Sequence, residues 1–226
     1  PDDPAARRSR AVPRLTRARL SVPIPEHAAG LPVAEVLGPL RTALTEHRRA
    51  VLVAPPGAGK TTLVPLALLD EPWLADRRLV VLEPRRLATP AAARRMAALL
   101  GEPVGSTVGY QTRDERRIGP DTRIEVVTEG VLTRRLQNDP ELPGVGLVVY
   151  DEVHERNLST DLGLALTVDS VRTLRPDLRV LAMSATADTR TLGRVLDDAP
   201  VITSDGRLAE VEIRWLPRRR GDRLEP

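Results

Sequence analysis

The sequence contains no cysteine, and aromatic residues make up only 2 % of the chain. The absence of cysteine excludes disulfides and cysteine-ligated metal. Three histidines without an H-E-x-x-H spacing leave too few ligands for a zinc site. The aromatic residues are Trp73, Tyr110, Tyr150 and Trp215. So few aromatic side chains argue against a surface that binds nucleic acid by stacking bases, as RRM and OB domains do.

Long apolar runs are also absent. The uninterrupted apolar stretches are far too short to cross a membrane, and no charged segment followed by an apolar one and a cleavage site indicates export. Hydrophobic residues make up 41 % and charged residues 29 % of the 226 residues, as in ordinary globular proteins. We therefore expect a cytoplasmic protein with a substantial core and no membrane partner.

Positive charge is concentrated at the two ends of the chain. Residues 1–20 carry a net charge of +4, and residues 214–226 carry +3. Because the whole chain carries +3, the body between these ends is left with −4. Bulk charge therefore does not indicate nucleic-acid binding by the body. The basic arm, residues 1–25, is predicted to be disordered, and a contact of this arm with RNA remains open.

Short runs rich in Val, Leu and Ile alternate with segments of helical length. The runs lie at 50–54, 78–83, 123–128, 146–152, 179–185 and 200–204. Helices are predicted at 33–46, 60–69, 90–100, 131–137, 161–174 and 189–196. Nearly continuous apolar strands separated by helices predict a parallel sheet covered on both faces. This is a doubly wound α/β domain, whose ligands bind at the carboxyl ends of the strands.

The first predicted strand runs into APPGAGKTT, residues 54–62, which matches the phosphate-loop pattern G-x-x-x-x-G-K-[ST] with Ala54 at the first glycine. Lys60 is the only lysine among 34 basic residues, so arginine does not suffice there. We expect Lys60 to bind the β- and γ-phosphates and Thr61 to bind Mg²⁺. The alternative is a Gly/Pro turn with an exposed lysine. The predicted phosphate-binding residues are Pro56, Gly57, Ala58, Gly59, Lys60, Thr61 and Thr62.

The stretch LVVYDEVHERNLSTD, residues 147–161, places two carboxylates at the end of a buried strand. If this strand lies beside the strand of the phosphate loop, Asp151 would hold Mg²⁺ and Glu152 would help to hold the ion and would deprotonate the attacking water. His154, two residues further on, could contact both the γ-phosphate region and a neighbouring domain. The alternative is a pair of solvated acids that end a strand.

Several segments resemble, in the correct order, the motifs of the DEAH/RHA branch of superfamily 2 helicases. DEVHER resembles motif II, with Val153 where alanine is commoner, and APPGAGKTT resembles motif I. EPRRLAT (83–89) resembles motif Ia, VGYQTR (108–113) the segment after it, TEGVLTRRL (128–136) motif Ib, and SAT (184–186) motif III. The resemblance covers about residues 30–205 and implies a RecA-like P-loop NTPase domain that uses ATP and Mg²⁺.

The resemblance also implies roles for individual residues. It places Arg95 against adenine, and it makes Ser184 and Thr186 a link between the γ-phosphate and movement of the lobe. In this branch, the histidine of motif II couples the nucleotide state to the partner lobe and to nucleic acid, so His154 joins Lys60 and Glu152 as a candidate catalytic residue. The residues implied to hold the backbone of a single strand are Arg85, Arg86, Thr128, Glu129 and Gly130. Guanidinium groups and helix N-termini bind phosphates without reading sequence, which suits this role.

These inferences divide the chain into an arm (1–25), an ATP-binding RecA-like lobe (26–205) and a linker or the start of a second RecA-like lobe (206–226). Because the chain begins with Pro1 and lacks the later motifs, we expect it to be a fragment. The expected function is that of the ATP-binding lobe of an ATP-dependent RNA helicase, whose partners are single-stranded RNA and the second lobe. A DNA-translocating motor and a nucleotide-dependent binding module without turnover remain as alternatives.

Overall fold

A computed structural model describes residues 30–186 and 189–205. A short 3₁₀ turn, Pro32–Val36, leads into the first helix. The helices are α1 (Leu37–Glu46), α2 (Lys60–Ala67), α3 (Ala88–Leu99), α4 (Glu129–Asn138), α5 (Leu158–Thr173) and α6 (Arg190–Val195). The strands are β1 (Arg49–Val53), β2 (Arg78–Leu82), β3 (Val108–Gln111), β4 (Arg116–Arg117), β5 (Ile124–Val127), β6 (Val145–Tyr150), β7 (Arg179–Ser184) and β8 (Val201–Thr203). The predicted arm, 1–25, and the predicted linker, 206–226, lie outside the described residues.

The strands form one sheet in the order β4-β3-β5-β2-β6-β7-β1-β8. All neighbouring pairs are parallel except β3 and β4, which are antiparallel. The predicted α/β class with a doubly wound, mainly parallel sheet is therefore confirmed. The antiparallel edge was not predicted, since β4 is formed by two exposed arginines without an apolar pattern.

Helices cover both faces of the sheet because side chains alternate along each strand. Leu52 of β1 faces the layer of α1, α2 and α3, together with Leu40 and Met96. Val51, one residue earlier, faces the layer of α4 and α5, together with Leu164. Within the described ranges, no helix is both long enough and apolar enough to cross a membrane.

The carboxyl ends of the parallel strands lie along one edge of the sheet. The order of the strands therefore decides which motifs lie next to each other there. The Asp151 N–H donates to the Leu82 carbonyl (3.0 Å), and the Glu83 N–H donates to the Val127 carbonyl (3.0 Å), so the ends of β5, β2 and β6 lie side by side. Strand β7 lies between β6 and β1. Strand β6, which carries the two acids, and strand β1, which precedes the phosphate loop, are thus not neighbours, so the condition attached to the prediction for Asp151 and Glu152 is not met. Strand order depends on contacts distant in sequence.

Candidate nucleotide and nucleic-acid sites

The loop between β1 and α2 has the backbone that a phosphate cradle requires. Gly57 (φ +78°) and Gly59 (φ +95°) occupy the left-handed region, where a side chain would be strained. Gly59 also precedes the first turn of α2, whose N–H groups point toward the loop. A Cβ atom at Gly59 would lie 2.8 Å from Leu31 Cδ1, and the Val33 N–H donates to the Ala58 carbonyl (3.2 Å). The segment before α1 therefore packs against the loop, a contact that the sequence did not reveal.

Lys60 is held in place rather than exposed, which excludes the interpretation of a solvated turn. Its side chain is 4 % exposed, and Nζ donates to the Ala54 carbonyl (2.9 Å) at the start of the loop. The same ammonium lies 4.0 Å from Glu152 Oε1. A compact ammonium satisfies both contacts in a space that a planar guanidinium would crowd. The single lysine of the chain thus contacts both the start of the phosphate loop and Glu152, which follows β6.

Asp151 is completely buried at the end of β6. Its carboxylate accepts hydrogen bonds from the Thr61 hydroxyl and from the Glu152 N–H, the latter at 2.9 Å. Burial raises the pKa of Asp151 to about 6, against the opposing effect of the Thr61 hydrogen bond. The loop therefore reaches across the end of β7 to meet this acid, although β1 and β6 are not adjacent.

The donor atoms at this point fit Mg²⁺. Thr61 and Asp151 present a hydroxyl and a carboxylate, which are hard oxygen ligands, with the Glu152 carboxylate nearby. Among the described residues no group of three or more His, Cys, Asp or Glu side chains could hold a metal by itself. Mg²⁺ commonly takes one or two protein ligands and completes its shell with phosphates and water, so a small donor set is what such a site needs.

Glu152 has an unusual backbone for a residue other than glycine, with φ +51° and ψ 36°. Such strain persists where the surrounding structure holds it, and it often marks functional sites. The Glu152 carboxylate Oε2 lies 3.3 Å from His154 Nδ1, which also accepts the Ala185 N–H (3.3 Å). His154 therefore connects the turn formed by residues 152–155, called here the acidic turn, to Ala185, the residue after β7.

Ser184 and Thr186 form a compact turn where β7 ends. The Ser184 hydroxyl donates to the Thr186 carbonyl and accepts the Thr186 N–H, both at 3.1 Å. Their predicted link to the γ-phosphate remains a prediction. Arg95 lies on the exposed face of α3, and its side chain makes no hydrogen bond or ion pair with another residue of the described ranges. Its predicted place against adenine also remains a prediction.

The five residues proposed for single-strand binding follow β2 and β5, which are neighbours in the sheet. Arg85 and Arg86 have exposed side chains. Thr128 directly precedes α4, Glu129 is its first residue, and the next residue, Gly130, is exposed, so the first N–H groups of this helix lie near the ends of both strands. Two guanidinium groups and a helix N-terminus are thus brought together at one edge, an arrangement that suits phosphates.

Several polar residues at this edge were not identified as functional from the sequence. Glu83 is 4 % exposed, and burial raises its pKa to about 7 with further contributions from Asp151 and Glu152, while the Arg85 N–H opposes the shift. RLVVLE places this acid at a strand end just as LVVYDE places Asp151, so the pattern could have revealed it. Glu155 forms an ion pair with Arg85, a contact between distant segments that no local pattern encodes.

Comparison with known proteins agrees with this geometry. The family model described as "DEAD/DEAH box helicase" matches residues 40–195. The chain belongs to this family. It is similar to the ATP-dependent RNA helicase HrpB of Escherichia coli (strain K12), with 53 % identity over 189 residues that cover 84 % of this chain and 23 % of HrpB. The resemblance inferred from the motifs is therefore confirmed.

Two crystal structures of E. coli HrpB, one described as a DEAH/RHA helicase and the other as a DExH-box NTPase, have the same fold. Their TM-scores are 0.77 and 0.75, each at 53 % identity, and each match covers 85 % of this chain and 24 % of the other. The chain thus spans about a quarter of the length of these relatives. The predicted RecA-like P-loop fold is confirmed.

Proposed function

We propose that this chain is the ATP-binding lobe of a cytoplasmic, ATP-dependent RNA helicase, in which ATP hydrolysis drives movement along single-stranded RNA or its unwinding. The observation that carries the proposal is the meeting of the phosphate loop with the acidic turn. Thr61 donates to Asp151, and Lys60 lies 4.0 Å from Glu152. A loop for phosphates, a site for a hard cation and a carboxylate that can orient water are thereby concentrated at one place.

Each residue has a role that follows from its position. The backbone N–H groups of residues 57–62 and the Lys60 ammonium bind the β- and γ-phosphates. Thr61 and Asp151, with Glu152 beside them, would hold Mg²⁺, which neutralises charge on the phosphates when bound. Glu152 orients the attacking water and accepts its proton. His154 contacts Glu152 and also accepts the Ala185 N–H, so it fixes the position of Glu152 relative to the end of β7.

RNA is the proposed nucleic acid because the similar protein HrpB is named an ATP-dependent RNA helicase. In the proposal, Arg85 and Arg86 bind phosphates of the single strand, and the start of α4 (Thr128, Glu129 and Gly130) supplies backbone contacts. These contacts fix the position of the strand without reading its sequence. A second RecA-like lobe of the full-length protein would close over the nucleotide, with Arg95, Ser184 and Thr186 on the facing side.

The decisive experiment is steady-state ATPase of the full-length protein with matched single-stranded RNA, single-stranded DNA, or neither. RNA should stimulate hydrolysis, and Glu152→Gln should lower turnover by about 10²–10⁴-fold, the usual contribution of a general base, while ATP binding is retained. Equal stimulation by DNA would identify a general translocase. Absence of stimulation, together with a silent Glu152→Gln, would identify a binding module without turnover.

A further inference from the structure

The residues proposed to bind the single strand, called here the proposed RNA track, form two segments, 85–86 and 128–130. Both segments contact residues 153–160, which follow Asp151 and Glu152. The Arg85 guanidinium, after β2, forms an ion pair with Glu155 in the 3₁₀ turn Val153–Glu155. Only one Arg85 nitrogen, Nη2, takes part in this pair, and the side chain is 65 % exposed. The same group is therefore accessible to a phosphate of a nucleic acid while it contacts the acidic turn.

Glu155 is in turn connected to the catalytic carboxylate through the backbone. Its N–H donates to the carbonyl of Glu152 at 2.9 Å. Residues with positive φ stand at both ends of the turn, Glu152 (φ +51°) and Arg156 (φ +51°). A turn confined in this way has little freedom to absorb a displacement of Glu155 without a displacement of Glu152.

A second contact runs parallel to the first. The Thr160 hydroxyl, in the first turn of α5, donates to Glu129 Oε1 at 3.1 Å. Glu129 begins α4, the other element of the proposed RNA track. Helix α5 starts directly after the acidic turn, and the Asn157 side chain caps it by accepting the Ser159 N–H (2.9 Å). The segment 152–160 is thus attached to the proposed RNA track at two points.

We propose that Glu155 and Thr160 are positioning residues that couple RNA binding to ATP hydrolysis, Glu155 through Arg85 and Thr160 through Glu129. The proposal rests on the proposed function, because it requires that the track binds RNA. A phosphate that binds the exposed nitrogens of Arg85 draws the guanidinium toward itself and weakens its pair with Glu155, and this changes the position of the turn and hence of Glu152. By linkage, the nucleotide must change RNA affinity through the same contacts.

The test measures this linkage in the full-length protein. Dissociation constants of a labelled single-stranded oligouridine are determined with and without a non-hydrolysable ATP analogue and Mg²⁺, and their ratio is the coupling factor. The wild-type factor should lie in the usual range, about 5–150-fold. Glu155→Gln and Thr160→Val should each reduce the coupling factor by about two- to fivefold, toward a value of one. This is the scale of one exposed ion pair or one hydrogen bond. RNA stimulation of ATPase should fall in parallel.

Two controls separate coupling from general effects. Thr160→Ser retains the hydroxyl and should retain the coupling factor. Asp114→Asn neutralises an acid that pairs with the adjacent arginine, Arg86, at 3.5 Å, but Asp114 does not contact the acidic turn. This variant should leave the coupling factor unchanged, because it alters the charge beside the track without loosening residues 152–160.

Three outcomes would contradict the inference in different ways. If the wild type shows coupling and both Glu155→Gln and Thr160→Val keep it, the inference is wrong and the proposed function stands. If Asp114→Asn loses as much coupling as Glu155→Gln, the effect is one of general charge and the inference is again wrong. If the wild type binds no RNA in either nucleotide condition, the proposed function fails and the inference fails with it.

Discussion

The Thr61 hydroxyl donates a hydrogen bond to the buried carboxylate of Asp151, across 90 positions of sequence. This contact closes the nucleotide site, because it joins the first turn of α2 to the end of β6. Strand β1, which precedes the loop and α2, and strand β6, which ends just before Asp151, are separated by β7. The loop after β1 and the first turn of α2 therefore pass over the end of β7 to reach Asp151. The two glycines of the loop, Gly57 and Gly59, have the positive φ angles that this path uses.

Replacement of Thr61 by valine should weaken both folding and Mg²⁺-dependent nucleotide binding. Valine keeps the shape but removes the donor, so the buried Asp151 carboxylate loses a partner at a cost of about 1–3 kcal/mol in the free energy of unfolding. Urea unfolding of the chain and nucleotide affinity with and without Mg²⁺ measure the two effects. Thr61→Ser, which keeps the hydroxyl, serves as the control. A Thr61→Val variant as stable as wild type would show that the hydrogen bond contributes little.

Stability should depend on pH through Glu83. Burial raises its pKa from 4.5 to about 7 in the folded chain. Below the unfolded pKa the group is protonated in both states and has no effect. As the pH rises, the unfolded chain ionises first, so the free energy of unfolding falls, and above about pH 7 the loss is complete at about 3 kcal/mol. Asp151, whose pKa is about 6, acts in the same direction.

Glu83→Gln isolates the contribution of Glu83, because glutamine keeps an oxygen acceptor for the Arg85 N–H (3.2 Å) but does not titrate. The variant should be more stable than wild type at pH 8 and closer to it at pH 5, as measured by urea unfolding at both values. An equal difference at the two pH values would mean that ionisation of Glu83 is not the cause.

Local patterns predicted the class of the sheet, which is confirmed, but not the order of its strands. The phosphate loop and the acids after LVVY are recognisable because each chemistry depends on a few consecutive residues at the end of a strand. The place of β7 between β6 and β1 was not predictable in this way, since it results from packing between distant segments. The contacts of Glu155 with Arg85 and of Thr160 with Glu129 also depend on strand order, so their partners could not be read from the sequence.

The antiparallel edge gives a prediction for Gly109 in β3. A Cβ atom there would lie 2.4 Å from the Arg117 carbonyl oxygen of β4, which is backbone and cannot swing aside. Gly109→Ala should therefore lower the free energy of unfolding by about 1–3 kcal/mol, the range for overpacking. Gly38, in α1, has open space around its Cβ position, so Gly38→Ala should instead stabilise by about 0.5 kcal/mol. Urea unfolding of both variants checks the contrast, which equal effects would contradict.

The isolated 226-residue chain should bind ATP but hydrolyse it slowly. Within residues 30–186 and 189–205, Lys60 is the basic side chain that lies within 4.0 Å of the Glu152 carboxylate, and no arginine forms an ion pair with it. In P-loop NTPases, an arginine supplied from another domain or protein can stabilise the transition state and contributes ~10³-fold or more in rate, and we expect the second lobe to supply one here. Phosphate release by the isolated chain should fall short of that of the full-length protein by about this factor, while binding of a fluorescent ATP analogue persists. Rapid, RNA-stimulated turnover by the isolated chain would mean that its own residues complete the site.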